Sequence, residues 1–147
     1  MNAFSLPIAS WSDAALEDYC KRYNVAWVCA WSSAVVKRLQ EWPDAVPLAD
    51  LQDDVHGYLF LIKHAPRDFI LKGKAKIIHA DWHHITLADV VPENGALVLS
   101  LHYQAGLRAS PPRVQVEREP CGHDPIGFIR IRVAGPVARL TLTWGDR

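Results

Sequence analysis

Residues 95–111 read GALVLSLHYQAGLRASP, and the fold class turns on them. Leu97, Leu99, Leu101 and Tyr103 alternate strictly with Ala96, Val98, Ser100 and His102. Residues two apart on an extended chain point to the same side, so this spacing describes a strand with a heavily apolar face. A bend punctuated by Gly106 and Pro111 follows it. Runs of the same kind surround it, and strands are predicted at about 74–80, 85–90, 96–103, 113–119, 127–133 and 137–144. The connections at 92–95, 110–112, 120–125 and 135–136 are rich in Gly and Pro. In the last two strands Ile129, Ile131, Val133, Leu140, Leu142 and Trp144 point one way, and Arg130, Arg132, Arg139 and Thr141 the other. Short alternating strands joined by turns predict an antiparallel β-sandwich or half-barrel.

Upstream the pattern changes to helices. Ser12 can cap a helix over 13–22 whose stripe is Leu16, Tyr19, Cys20 and Tyr23, with acids early and Lys21 and Arg22 in the last turn. Asn24 ends it. The run VAWVCAW (25–31) is apolar on both faces, which predicts a strand covered on both sides. Ser32 or Ser33 starts a second helix through about Glu41, with Val35, Val36, Leu39 and Trp42 as its stripe and Pro43 as its stop. A weak strand near 47–51, a turn at Asp53–Asp54 and a stronger strand at 57–63 complete this part. The chain thus reads as α+β: a small helix–strand–helix–strand unit over 1–64 followed by a sandwich-like half over 65–147, with one integrated domain as the alternative organisation.

At 147 residues such a chain can bury roughly 68–70% of its unfolded surface, so no metal or disulfide is required for folding. Lys plus Arg and Asp plus Glu are 16 each, which gives no electrostatic argument for nucleic acid or an anionic membrane surface. No apolar run approaches a spanning helix, and the N-terminus lacks the basic and apolar regions of a signal peptide, which leaves the localisation unassigned. Cys20, Cys29 and Cys121 lack CxxC spacing and are read as unpaired thiols, with Cys20 and Cys29 on buried faces.

Two groups of residues carry candidate chemistry. On a strand His79, Asp81 and His83 share one face, and two imidazoles with a carboxylate can hold a divalent metal such as zinc. His102 and the turn 121–124, His123 in particular, are further candidate ligands. The same residues also suit a polar strand end, and no established metal signature is matched. The second group is for ligand binding: Trp82, flanked by an acid and histidines, can stack on a sugar, and Arg130, Arg132 and Arg139 can meet an anionic ligand. Glu117 and Glu119 among those arginines also fit a self-neutralising sheet face. Ser10, Ser32, Ser33, Ser100 and Ser110 lie in no nucleophile elbow, and Gly73, Gly95 and Gly106 form no phosphate loop. No catalytic residue is assigned; a non-catalytic module without a cofactor is the first reading, and a small metal-binding protein or metal-dependent hydrolase using His79, Asp81 and His83 with a divalent metal is the alternative.

The order of segments adds a resemblance. A helix leads into YNVAWVCAW (23–31), a short helix follows, then GYLFLIKHAPRDF (57–69), GALVLSLHYQAGLRASP and a closing VARLTLTW (137–144). This resembles the soluble C-terminal portion of large bacterial polytopic membrane proteins of the GT-C glycosyltransferase type, the YfhO-like group. There a segment of the form LNVKYVV precedes a strand ending near PRA, and a VVLSxxYxPGW strand and bend comes later. Residues 23–28, 65–68 and 97–107 stand in those places, with Gly106–Leu107 where Gly-Trp is usual. The resemblance implies an extracytoplasmic, non-catalytic accessory module, with a membrane-embedded glycosyltransferase-like part as partner and glycan as a contact. The catalytic residues of that group lie in the membrane part, so none is carried over.

Overall fold

The computed structural model describes residues 6–52, 56–63, 68–122 and 124–144. The Asp53–Asp54 turn, His123 and residues 64–67 of the GYLFLIKHAPRDF segment lie outside them. The chain divides into two compact units, Met1–Pro66 and Arg67–Arg147. The class is α+β, and among the described residues there are two α-helices and eleven strands in three antiparallel sheets.

In the first unit a 3₁₀ turn at Ile8–Ser10 leads to α1 (Asp13–Arg22), β1 (Trp27–Ala30), α2 (Ser33–Glu41), β2 (Ala45–Asp50) and β3 (Tyr58–Ile62). The Ser12 hydroxyl accepts from the Ala15 amide to cap α1. The helix ends as a Schellman motif: Asn24 has φ +51, its amide donates to Lys21 O, and the Val25 amide donates to Cys20 O at 2.8 Å. Ser32 stands at the N-cap of α2, but its hydroxyl makes no capping bond. Leu16 and Cys20 of α1, Val36 and Leu39 of α2, Trp11 and Trp42 pack on Ala30, Ala45, Phe60 and Ile62 of the sheet. The Arg38 Nε donates to Trp11 O at 2.7 Å and its guanidinium pairs with Asp13, tying α2 to the start of α1.

The sheet order β1-β3-β2 corrects the reading of VAWVCAW. β1 is an edge strand. Val28 and Ala30 face the helices, while Trp27 is 60% exposed and Cys29 is exposed on the other face. The run is apolar on both sides, but in this unit the helices cover one side only.

The second unit comprises β4 (Ile70–Lys72), β5 (Lys74–Ala80), β6 (His84–Val91), β7 (Ala96–His102), β8 (Leu107–Ser110), β9 (Gln115–Cys121), β10 (Asp124–Arg132) and β11 (Val137–Trp144). They form two four-stranded antiparallel sheets, β4-β7-β10-β9 and β5-β6-β11-β8. Leu97, Leu99, Ile129 and Ile131 of one sheet and Leu87, Val90, Leu140 and Leu142 of the other share one core and are all fully buried. This is the β-sandwich the alternation predicts. Two short strands depart from it: β4, and β8 within the stretch read as a bend, which pairs with β11 of the opposite sheet.

Candidate functional site

The His79–Asp81–His84 cluster grows out of the β5–β6 hairpin. Ala80 pairs with Ile85, and the Asp81 amide donates to His84 O at 3.0 Å, which leaves Trp82 and His83 as a two-residue loop. Leu87 and Ile85 point into the core, so His84 and Thr86 lie on the opposite face of the sheet, where His84 is partly exposed and Thr86 is buried. On the facing strand the register shifts between Ile77 and His79, the mark of a bulge. His79 then stands opposite Thr86, and Asp81 opposite His84, on the outer face.

Asp81 organises this end. Its Oδ1 accepts from the amides of His83 at 2.7 Å and His84 at 2.9 Å, closing the loop. Its Oδ2 lies 3.0 Å from His79 Nε2, and Oδ1 lies 3.1 Å from His84 Nδ1. The two imidazoles stack with centroids 4.5 Å apart and planes 19° from parallel. The hydrogen bond from His79, reinforced by the His83 and His84 amides, holds the Asp81 carboxyl well below the usual carboxylate range. The three donor sets lie within 4.8 Å of one another.

The structure thus brings His84, and not the expected His83, beside His79 and Asp81. Period two carries one face along a continuous strand, but β5 ends at Ala80 and the chain reverses. His83 lies in the loop and contributes its amide, and its carbonyl accepts from the Trp144 amide at 3.1 Å. The hydrophobic phase of His84-Ile85-Thr86-Leu87 was the signal that could have identified His84. His102 lies in the other sheet, 2.6 Å from Asp124 and stacked on Phe128. Among the described residues, it is not part of the cluster.

Beside the hairpin, a groove of about 510 Å³ opens along β5. Phe69, Ala75, Ile77 and Leu101 give it an apolar lining, and Asp68 and Asp81 add carboxylates. Trp82, at the tip of the hairpin, is 94% exposed. The arginines are elsewhere. Arg130 and Arg132 lie on β10, where Arg130 reaches Glu119 at 2.8 Å and Glu117 at 3.1 Å and Arg132 reaches Glu117 at 2.8 Å. Arg139 is on β11 in the opposite sheet. Trp82 and the three arginines thus do not form one site, and two of the arginines are engaged by the glutamates of β9.

No protein-family model matches the chain, and no curated protein or solved structure is significantly similar to it. Among the described residues no helix is long and apolar enough to cross a membrane.

Proposed function

We propose that this chain is a non-catalytic binding module whose β-sandwich takes a sugar-containing ligand at the tip of the β5–β6 hairpin. The observation that carries the reading is the exposure of Trp82, 94%, immediately after a carboxylate that lines an apolar groove. An indole in water contributes nothing to the core. A planar aromatic surface beside polar acceptors suits the apolar face and hydroxyls of a sugar ring. The zero net charge and the glutamates facing Arg130 and Arg132 favour a neutral ligand over an anionic headgroup.

The resemblance of the segment order to the YfhO-like proteins motivates a setting for such a module: the extracytoplasmic portion of a membrane glycosyl-transfer protein, contacting glycan or lipid-linked sugar. The test is titration calorimetry of the whole chain against a panel of neutral oligosaccharides and lipid-linked sugars. Binding by the native chain that Trp82→Ala abolishes is the expected result. Absence of binding across the panel, or equal binding by Trp82→Ala, overturns the reading.

A further inference from the structure

We infer that His79, Asp81 and His84 form a binding site for a divalent first-row transition metal, with zinc the natural probe. The inference shares Asp81 with the sugar reading but needs no organic ligand, so zinc binding and sugar binding can fail independently. Two neutral imidazole nitrogens and one carboxylate oxygen are a donor set suited to zinc and its neighbours. Calcium and magnesium favour shells made of oxygen.

The spacing fits without moving the backbone. Zinc binds histidine nitrogen at about 2.0–2.1 Å and carboxylate oxygen at about 2.0–2.2 Å. Two such ligands on one ion stand roughly 3.0 Å apart at right angles and roughly 3.4 Å apart at the tetrahedral angle, from those bond lengths. The observed separations are 3.0 Å from His79 Nε2 to Asp81 Oδ2 and 3.1 Å from His84 Nδ1 to Asp81 Oδ1, so each imidazole already stands at ligand spacing from one oxygen of the carboxylate. The remaining pair also falls within 4.8 Å, and rotation of the stacked rings out of their shared orientation is what brings both nitrogens onto one ion.

The outer shell is also in place. The two loop amides on Asp81 Oδ1 fix the carboxylate before any ion arrives. Fixing a ligand in this way raises metal affinity. The side chains are 51%, 37% and 38% exposed for His79, Asp81 and His84. Water can therefore reach the ion and complete its coordination, and the site is open on one side, unlike a closed structural zinc centre. Because Asp81 also lines the groove, a bound ion stands at the edge of the space into which a ligand enters.

The experiment is titration calorimetry of the full chain with zinc chloride alone, in a Cys29→Ser background that removes the exposed thiol. One zinc per chain is expected. His79→Ala and His84→Ala should each weaken binding at least about tenfold, on the scale by which even outer-shell changes act. His83→Ala should leave it unchanged. Cobalt substitution should give d–d bands without thiolate charge transfer. No stoichiometric zinc, equal binding by the His84→Ala variant, or an equal loss in His83→Ala overturns the inference. Both histidines are half-exposed on the outer face, and circular dichroism of each variant checks that the sandwich is intact.

Discussion

Leu101 and Leu107 are six residues apart in the chain and belong to opposite sheets of one sandwich, Leu101 in β7 and Leu107 opposite Trp144 in β8. Both meet the same core. The crossing is made in residues 103–106, where the Leu107 amide donates to Gln104 O and Gly106 takes φ +88. A positive φ at the third residue is what a type II turn demands. The stretch that reads as a bend is thus the place where the chain leaves one sheet for the other.

A glycine series follows from that geometry. Gly106→Ala should cost about 1–2 kcal/mol, the strain of a left-handed L-residue, because a Cβ there meets nothing within 4 Å. Gly127 has φ +72, and a Cβ would lie 2.5 Å from Glu119 O on the neighbouring strand. Strain and backbone collision together should cost about 3 kcal/mol or more. Gly135 has an ordinary backbone angle and open space, so Gly135→Ala should stay within about 0.5 kcal/mol. Urea midpoints give the order, and Gly127→Ala no worse than Gly106→Ala contradicts it.

The hairpin offers a sharper contrast. Trp82→Ala should leave the urea midpoint within about 0.5 kcal/mol of the parent, because the indole touches solvent. Leu87→Ala, a few residues on and fully buried, should cost about 2–5 kcal/mol. A large loss in Trp82→Ala would give the indole a structural role and remove the argument for a ligand.

What was legible in the sequence depended on local repetition. Strands β5, β7 and β11 and helix α1 fall where the periodicity puts them, because four or more residues repeat the pattern. β4 and β8 have three and four residues, too few to establish a period, and they exist only because β7 and β11 offer an edge. His84 was missed for a related reason. Which residue faces Asp81 depends on loop length, and Trp82–His83 carries none of the Asn-Gly chemistry that marks a two-residue hairpin loop. The misplacement of Cys29 has another cause: an apolar run shows that two faces are greasy, not how many are covered.

Asp124 should make the acid side of the stability curve its own. Its side chain is 8% exposed, and burial by itself works to raise the carboxyl. The Ile126 amide, His102 and the Gly127 amide more than offset that, so the carboxyl is held below its ordinary value. A folded pKa below the unfolded one, about 3.9, means the stabilisation is present above that pH and disappears as pH falls through the folded value. Asp124→Asn should therefore cost about 1–2 kcal/mol near pH 7, a charge-assisted hydrogen bond being replaced by a neutral one. The gap should close in acid. Urea midpoints for both proteins from pH 7 to pH 2 check it, and a gap constant with pH would contradict it.

The thiols report on burial in both units. Cys29 lies outward on β1, whereas Cys20 and Cys121 are buried, and burial pushes the Cys20 thiol up to about 11. Since the thiolate is the nucleophile, a rise of about two units from 9 leaves roughly one hundredth of the ordinary thiolate for Cys20, before access is considered. A maleimide at neutral pH should therefore label one thiol of the folded chain quickly, lost in Cys29→Ser, and the other two only in denaturant. Slow labelling of Cys29 carries its own meaning. The thiol sits in the same strand as Trp27, on the face of the β1-β3-β2 sheet away from the helices. Protection there that is relieved by mild denaturant, ahead of Cys20, would show that something covers that face in the folded chain.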